Sequence, residues 1–287
     1  MKIKSIKKYK TTAADVVLSL NECQQILLKT LYSFQRFCAE NDLRFSLAYG
    51  SLIGAAREQN IINWDNDIDI MMPQEEFDKL LNSIDGLNRF GLNYYHYTNA
   101  THVYSSEVRI YFNGYYRFLE SDFCKYITPL CIDVFPLVKI DTNADGTISK
   151  KTKKKIDRLN KIKRILYYKE IKHKSKNWIN TLFKMLAKPL LLCVPSVQLN
   201  QRMDKIVNSL YSNRGDDYML FSPNALWFRL FDKHLFDEII ALKFGSEKVC
   251  SIANYDYFLT NVYGEWKKPC DRSNGDVYES KYLFRAE

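Results

Sequence analysis

The sequence has no run of about 18 uninterrupted apolar residues, the length a membrane-crossing helix needs, so no span is expected in its 287 residues. Its start, MKIKSIKKYKTTAADVV, is basic but has no apolar stretch of the kind at the heart of a secretory signal, so no leader is expected. Paired cysteines are missing too. Cys23, Cys38, Cys124, Cys131, Cys193, Cys250 and Cys270 contain no CxxC spacing and are odd in number. That excludes a disulfide framework and a cysteine-based zinc site, and implies reduced thiols in the cytoplasm. His96, His102, His173 and His234 fall at no metal-binding spacing and carry no assigned chemistry. Internal repeats and low-complexity linkers are also absent. What remains is ordinary globular composition, 46% hydrophobic and 26% charged, in a chain long enough for one large domain or two modest ones.

The formal charge of +9 is unevenly placed: between Lys150 and Lys176 thirteen Lys or Arg stand against Asp157 and Glu170. Such a segment attracts phosphate-bearing partners, whether nucleic acid, anionic lipid or anionic glycan, or it is a solvated helical face. WINTLFKMLAKPLLLCVP (178–195) follows, apolar but broken by Lys184, Lys188 and Pro189. It suits a core helix or a segment lying on an anionic membrane.

Local signals give an α+β order. Ser19 and Glu22 form an S-x-x-E capping box, after which Leu20, Leu27, Leu31, Phe34 and Cys38 recur at helical spacing as far as Asn41-Asp42. RFSLAY alternates as a strand running into Gly50-Ser51, LIGAAR follows as a short helix, and DIDIMM is a second strand closed by Pro73. QEEFDKLLNSI is a helix, VRIYFNGYYRF a hairpin turning at Asn113-Gly114, and LCIDVFPLV another strand. Helices are expected from about 148 to 211, and an aromatic tail closes the chain. The expectation is a small mixed sheet flanked by helices over 1–148, with a mostly helical, basic second half over 149–287.

The densest chemistry lies in YGSLIGAAREQNIINWDNDIDIMMP, residues 49–73. Side chains alternate along a strand, so Asp67 and Asp69 share one face while Ile68 and Ile70 point to the core. Carboxylates at i and i+2 stand about 6–7 Å apart at their α-carbons, close enough to share a divalent ion. Mg²⁺ or Mn²⁺ suits such oxygen ligands and usually borrows further oxygens from a phosphate. Asp65 stands one step back and can complete the cluster, and Asp133, in CIDVFP, also projects from a strand with apolar neighbours. Gly50-Ser51 opens a short helix, where backbone N–H groups can cradle phosphate. Taken alone, the D-x-D is equally an exposed strand edge with acids on its wet face. With the Gly-Ser turn and a third aspartate, it is the set that phosphoryl and nucleotidyl transfer require.

The stretch resembles the signature of the LicD family, which includes bacterial phosphocholine transferases and the animal proteins fukutin and fukutin-related protein. Gly50, Ser51, Leu52, Gly54, Ala55, Arg57, Trp64, Asp65, Asp67, Ile68 and Asp69 match, and IDVFPL and YFLTNVYGEWKKP resemble two later family blocks in the family's order. The resemblance therefore runs from about 19 to 270. Asn63 replaces a proline and Asn66 the middle aspartate; Asn66 falls on the face away from the expected ligands. The resemblance implies a nucleotidyltransferase-like core that moves a phospho-substituent from a CDP-activated alcohol or amine, such as CDP-choline, to a sugar hydroxyl, releasing CMP. It implies Asp67 and Asp69 as metal ligands, Asp65 as ligand or support, and Asp133 as general base or further ligand. Ser51 and Arg57 become phosphate contacts, although Arg57 can instead pair with an aspartate, and Arg109 either reaches phosphate or covers the sheet. The acceptor would be a cell-surface glycan or lipid-linked precursor, met at the cytoplasmic face of the membrane.

Other signals are weaker. DTNADG (141–146) imitates the opening of a calcium loop but lacks its closing glutamate and is expected to be a turn. YYHY (94–97) and YFNGYYRF could cage a quaternary ammonium group or simply fill the core. An alternative enzyme would transfer NMP from an NTP. A nucleic-acid-binding module built on 150–176 is not expected, because it leaves the three blocks unexplained.

Overall fold

The computed structural model describes residues 16–99, 107–121, 124–170, 194–221, 228–269 and 280–284. The first helix, α1 (Leu20–Glu40), begins on the expected capping box. Glu22 N–H donates to Ser19 Oγ at 3.3 Å and Ser19 N–H to Glu22 Oε2 at 2.7 Å. Its three-four spacing buries Cys23, Leu27, Leu31, Phe34, Phe37 and Cys38 in one stripe, each large side chain contributing about 1.5–3 kcal/mol. That stripe lies on the sheet against β5 and β6.

The sheet is built around its longest strand, β6 (Cys124–Ile140). On one side β5 (Val108–Ser121) runs antiparallel; on the other β3 (Asp69–Pro73) runs parallel, with Asp69 opposite Asp133 and Pro73 opposite Leu137. The short β2 (Ser46–Leu47) pairs antiparallel outside β3. β4 (Leu92–Tyr95) pairs with the first part of β5, and β11 (Ser280–Phe284), itself paired with β1 (Val16–Leu18), takes the second. β7 (Asp217–Phe221) joins the far end of β6 and carries β8 (Phe228–Asp232). The fold is α+β, a mixed sheet flanked by helices.

One local expectation is corrected. VRIYFNGYYRF is not a hairpin: Asn113-Gly114 lies inside the continuous β5, where the register with β6 shifts between Tyr111 and Tyr116. Gly114 takes φ +86°. The left-handed glycine that would have made a tight turn makes a bulge instead, because β6 and β11 pair with the chain beyond it.

The second half holds helices, as expected, and also five of the described strands, β7 to β11. Leu159 and Leu166 of α4 (Lys150–Glu170) pack with Met203 of α5 (Ser196–Leu210) over Val138, Ile140 and Met219. The main core runs from Cys23 to Trp266, so it crosses position 148. The hairpin of β9 (Ile239–Phe244) and β10 (Glu247–Ile252) is tied to the first half: Ile252 N–H donates to Ser46 Oγ at 3.0 Å and Tyr32 Oη to the Phe244 carbonyl at 2.7 Å. DTNADG is a turn closed by Thr147 N–H and Oγ1 on Asp145. Most of the apolar segment 178–195 lies outside the described residues. Among those described, no helix is long and apolar enough to cross a membrane.

Candidate active site

The motif folds in two parts. After β2 the chain turns sharply at Tyr49, φ +47°, an uncommon value for a non-glycine residue. It then forms α2 (Tyr49–Ile53), followed by a π-helical turn (Gly54–Glu58). Gly50 and Ser51 both face the acidic run. A β-carbon on Gly50 would lie 2.7 Å from Asp65 Oδ2, and Ser51, only 4% exposed, accepts the Asp69 backbone N–H at 2.9 Å. A β-carbon on Gly54 would meet the Asn60 carbonyl at 2.5 Å. Arg57 donates through Nε to Glu58 at 2.8 Å and through Nη1 to the Trp266 carbonyl at 2.9 Å. It thereby fastens the first block of the motif to the last.

The aspartates come next. Gln24 of α1 donates to the Asp65 carbonyl at 2.8 Å, and Asp65 Oδ1 accepts Asn66 N–H at 3.1 Å. Asp67 lies in the extended segment just before β3. Ile68 and Ile70 are fully buried, as the alternation requires, and Asp133 N–H donates to the Ile68 carbonyl at 2.9 Å. Strand register then sets Asp69, Asp133, Arg109 and Tyr95 in one row across β3, β6, β5 and β4. Directly paired residues point to the same side of a sheet. Asp133 and Arg109 are also ion-paired, Nε to Oδ1 at 3.1 Å.

Burial and repulsion act together on these acids. The Asp69 carboxyl is pushed well above the usual carboxylate range by burial first, then by Asp67, Asp133, Asp65 and Glu107. Asp133 is also raised by burial, with the Arg109 guanidinium pulling against it and Asp67 adding to it. Asp65, Asp67 and Asp133 thus all act on Asp69, and Arg109 acts on Asp133, whereas Arg57 is engaged elsewhere.

Among the described residues no three His, Cys, Asp or Glu side chains form a ready-made cation cage. The arrangement suits a hard divalent ion that takes one or two carboxylates and completes its shell with water and phosphate oxygens, as Mg²⁺ does. Asp67 and Asp69 are the residues that could hold it, with Asp65 behind them. The upward push on the Asp69 carboxyl is the strain that a cation would relieve.

Three neighbours escaped the sequence reading. Glu107, two residues before Arg109, is buried and adds to the repulsion on Asp69; the alternation in EVRIYF put it on the Arg109 face and was the available signal. Tyr263 ends α6 (Tyr255–Tyr263) with a half-exposed ring, and its hydroxyl is pushed up by burial and then by Asp69, Asp65 and Asp67. The third motif block thus delivers a side chain to the cluster. Tyr49 packs edge-on to Phe135, and its hydroxyl is raised by burial and Asp69. Of the tyrosines that could cage an ammonium group, Tyr94 bonds Asp85 and Tyr97 bonds Asp204.

Residues 42–163 match the family model described as LicD/FKTN/FKRP, nucleotidyltransferase domain. This stretch is a LicD-family domain. It includes Asp65, Asp67, Asp69, Glu107, Arg109 and Asp133, and ends inside α4, so the later block with Tyr263 lies beyond it. The lipopolysaccharide cholinephosphotransferase LicD of Haemophilus influenzae is 38% identical over 64 residues, covering 22% of this chain and 24% of that protein. The chain thus spans about a quarter of the length of the curated relative it matches.

Proposed function

We propose that this chain transfers a phospho-substituent, phosphocholine or a similar group, from a CDP-activated donor to a sugar hydroxyl of a cell-surface glycan or its precursor. The observation that supports this most is the alignment of Asp69 with Asp133 on neighbouring parallel strands, with Asp65 and Asp67 acting on Asp69, inside a LicD-family domain. Mg²⁺ or Mn²⁺ held by Asp67 and Asp69 would neutralise donor phosphate oxygens. Asp133 takes the acceptor's proton as the hydroxyl oxygen bonds to the phosphorus and CMP leaves with the electron pair of the broken P–O bond. Two properties fit Asp133 to that role: burial raises its affinity for a proton, and the Arg109 guanidinium beside it pulls the other way, favouring the carboxylate. Gly50 and Ser51 hold the acidic run in place behind these groups.

The exposed lysines and arginines of α4 favour work at an anionic membrane face on the cytoplasmic side, where a lipid-linked acceptor would be presented. Incubation with Mg²⁺ and a panel of CDP-choline, CDP-ethanolamine, CDP-glycerol and CDP-ribitol tests the chemistry. CMP release with an acceptor glycan supports it. Pyrophosphate release from NTPs would instead identify an NMP transferase, and turnover of neither class would sink both.

A further inference from the structure

Glu107 takes no part in the transfer as written, yet it is 3% exposed beside the acidic cluster. A carboxylate is rarely buried without a charged partner, because its desolvation is costly. Glu107 Oε1 accepts from Arg109 Nη2 at 2.7 Å, and the same guanidinium sets Nε 3.1 Å from Asp133 Oδ1. The second approach is an ionic contact, without the alignment of a hydrogen bond. The Cys131 thiol also reaches Asp133 Oδ1, at 3.7 Å. On the far side, Lys163 of α4 is buried and its charge acts on Glu107. The signs alternate along this line: Lys163, Glu107, Arg109, Asp133.

We infer that Glu107 is a positioning residue for the transfer reaction, acting through Arg109 on Asp133. A guanidinium is planar and rigid, so fixing Nη2 on Glu107 fixes the direction of Nε. With Nε against Oδ1, this oxygen of Asp133 is committed to the scaffold and Oδ2 is the one that meets the acceptor. Without Glu107, the guanidinium turns toward the nearest remaining anion and Asp133 loses its fixed orientation. This inference rests on the transferase function proposed above, and it makes Arg109 a support for Asp133 instead of a donor-phosphate contact.

The test is the kinetics of Glu107→Ala, Glu107→Gln, Arg109→Lys and the Glu107→Ala/Arg109→Lys double variant, each with its melting temperature. Glu107→Ala is expected to lower kcat about 10–100-fold, the usual cost of an outer-shell partner, with donor KM unchanged. Glu107→Gln, which still accepts from Nη2, should retain more activity. The double variant should be no slower than Arg109→Lys alone, because the two residues act in series. A raised donor KM at unchanged kcat would place Arg109 on the donor and overturn the inference. Losses that multiply in the double variant would overturn it as well, as would a lowered melting temperature with full activity per folded molecule. If the wild type releases no CMP from any donor, the transfer reaction itself fails. A crystal structure of Glu107→Ala then decides separately: Arg109 and Asp133 unmoved refutes the positioning role, and their displacement upholds it.

Discussion

Two patches of like charge sit on this molecule, opposite in sign and in depth. Asp65, Asp67, Asp69, Asp133 and Glu107 gather at the sheet, where Asp69 is raised by burial and by the other four. Lys150, Lys151, Lys153, Lys154, Arg158, Lys161 and Arg164 line α4, all exposed. At about 4 Å two unit charges interact by about 1 kcal/mol in water and by several times that at the lower dielectric near a protein interior. The cationic face therefore costs the fold little, and its presence says little. The acidic cluster costs the fold a great deal, and its partial burial is the reason a bound cation is proposed there.

The sharpest way to break that comparison is Asp69→Asn. Transfer should fall by three orders of magnitude or more, roughly the scale lost with a central catalytic group, while the metal-free protein should gain on the order of 1–3 kcal/mol as the repulsion is relieved. CMP release and melting in EDTA measure the two effects; full activity with unchanged Mg²⁺ dependence would end the metal assignment. The pH dependence follows in sign. Asp69 and Asp133 are raised in the folded state, so their contribution to stability is complete below the ordinary carboxylate range and is lost as pH rises through the raised values. His96 works oppositely: burial lowers it from 6.5 to about 4, so its contribution is lost as pH falls through that interval. Melting temperature in EDTA should therefore fall as pH rises through the raised values of these two carboxyls, once it is above the interval in which His96 changes charge. Mg²⁺ should restore the loss, and Asp69→Asn should abolish the Mg²⁺ response and leave only the part of the pH response that belongs to Asp133. Asp204, raised to about 7 by burial, drifts in the same direction without answering to Mg²⁺.

Gly50→Ala and Ser51→Ala probe the scaffold under the same cluster. The added methyl at Gly50 would meet only Asp65 Oδ2, at 2.7 Å, the free end of a side chain that can shift, so it should displace that carboxylate for less than the roughly 1–3 kcal/mol of core overpacking. Ser51→Ala leaves the Asp69 N–H without its 2.9 Å acceptor, a loss of roughly 1–3 kcal/mol for a buried donor. Urea unfolding should show the second as the larger. If Ser51→Ala is as stable as the wild type but raises donor KM, Ser51 contacts phosphate directly.

The acidic run was legible because it is written locally: period-2 alternation puts Ile68 and Ile70 inside and leaves Asp67 and Asp69 together. The pairing of Asp69 with Asp133 was not, since register between strands more than sixty residues apart depends on β3 running parallel to β6, which no short window encodes. Asn113-Gly114 misled for a related reason. A left-handed glycine serves a hairpin turn or a bulge equally well, and only the partners of the flanking chain decide between them. Glu107 was within reach, two residues from Arg109 on the same face. Tyr263 belonged to a block noticed for its resemblance alone, and its nearness to the aspartates needed the packing of α6 on α2.

The smallest effect on the fold should come from α4. Reversing Lys153 and Lys154 to Glu changes two exposed charges on a helix held by Ile156, Leu159 and Leu166 on its other side, so stability should move by less than about 0.5 kcal/mol. Turnover of CDP-choline with a small soluble acceptor should not change. Sedimentation with vesicles containing anionic lipid should weaken, since each basic residue near such a surface contributes about 1 kcal/mol, and the wild-type binding should fade as salt is raised. Binding that ignores the reversal would leave α4 a solvated face and nothing more. In that case the proposed chemistry rests on the part-buried charges of the sheet alone, and the exposed ones decorate the helix that packs beside it.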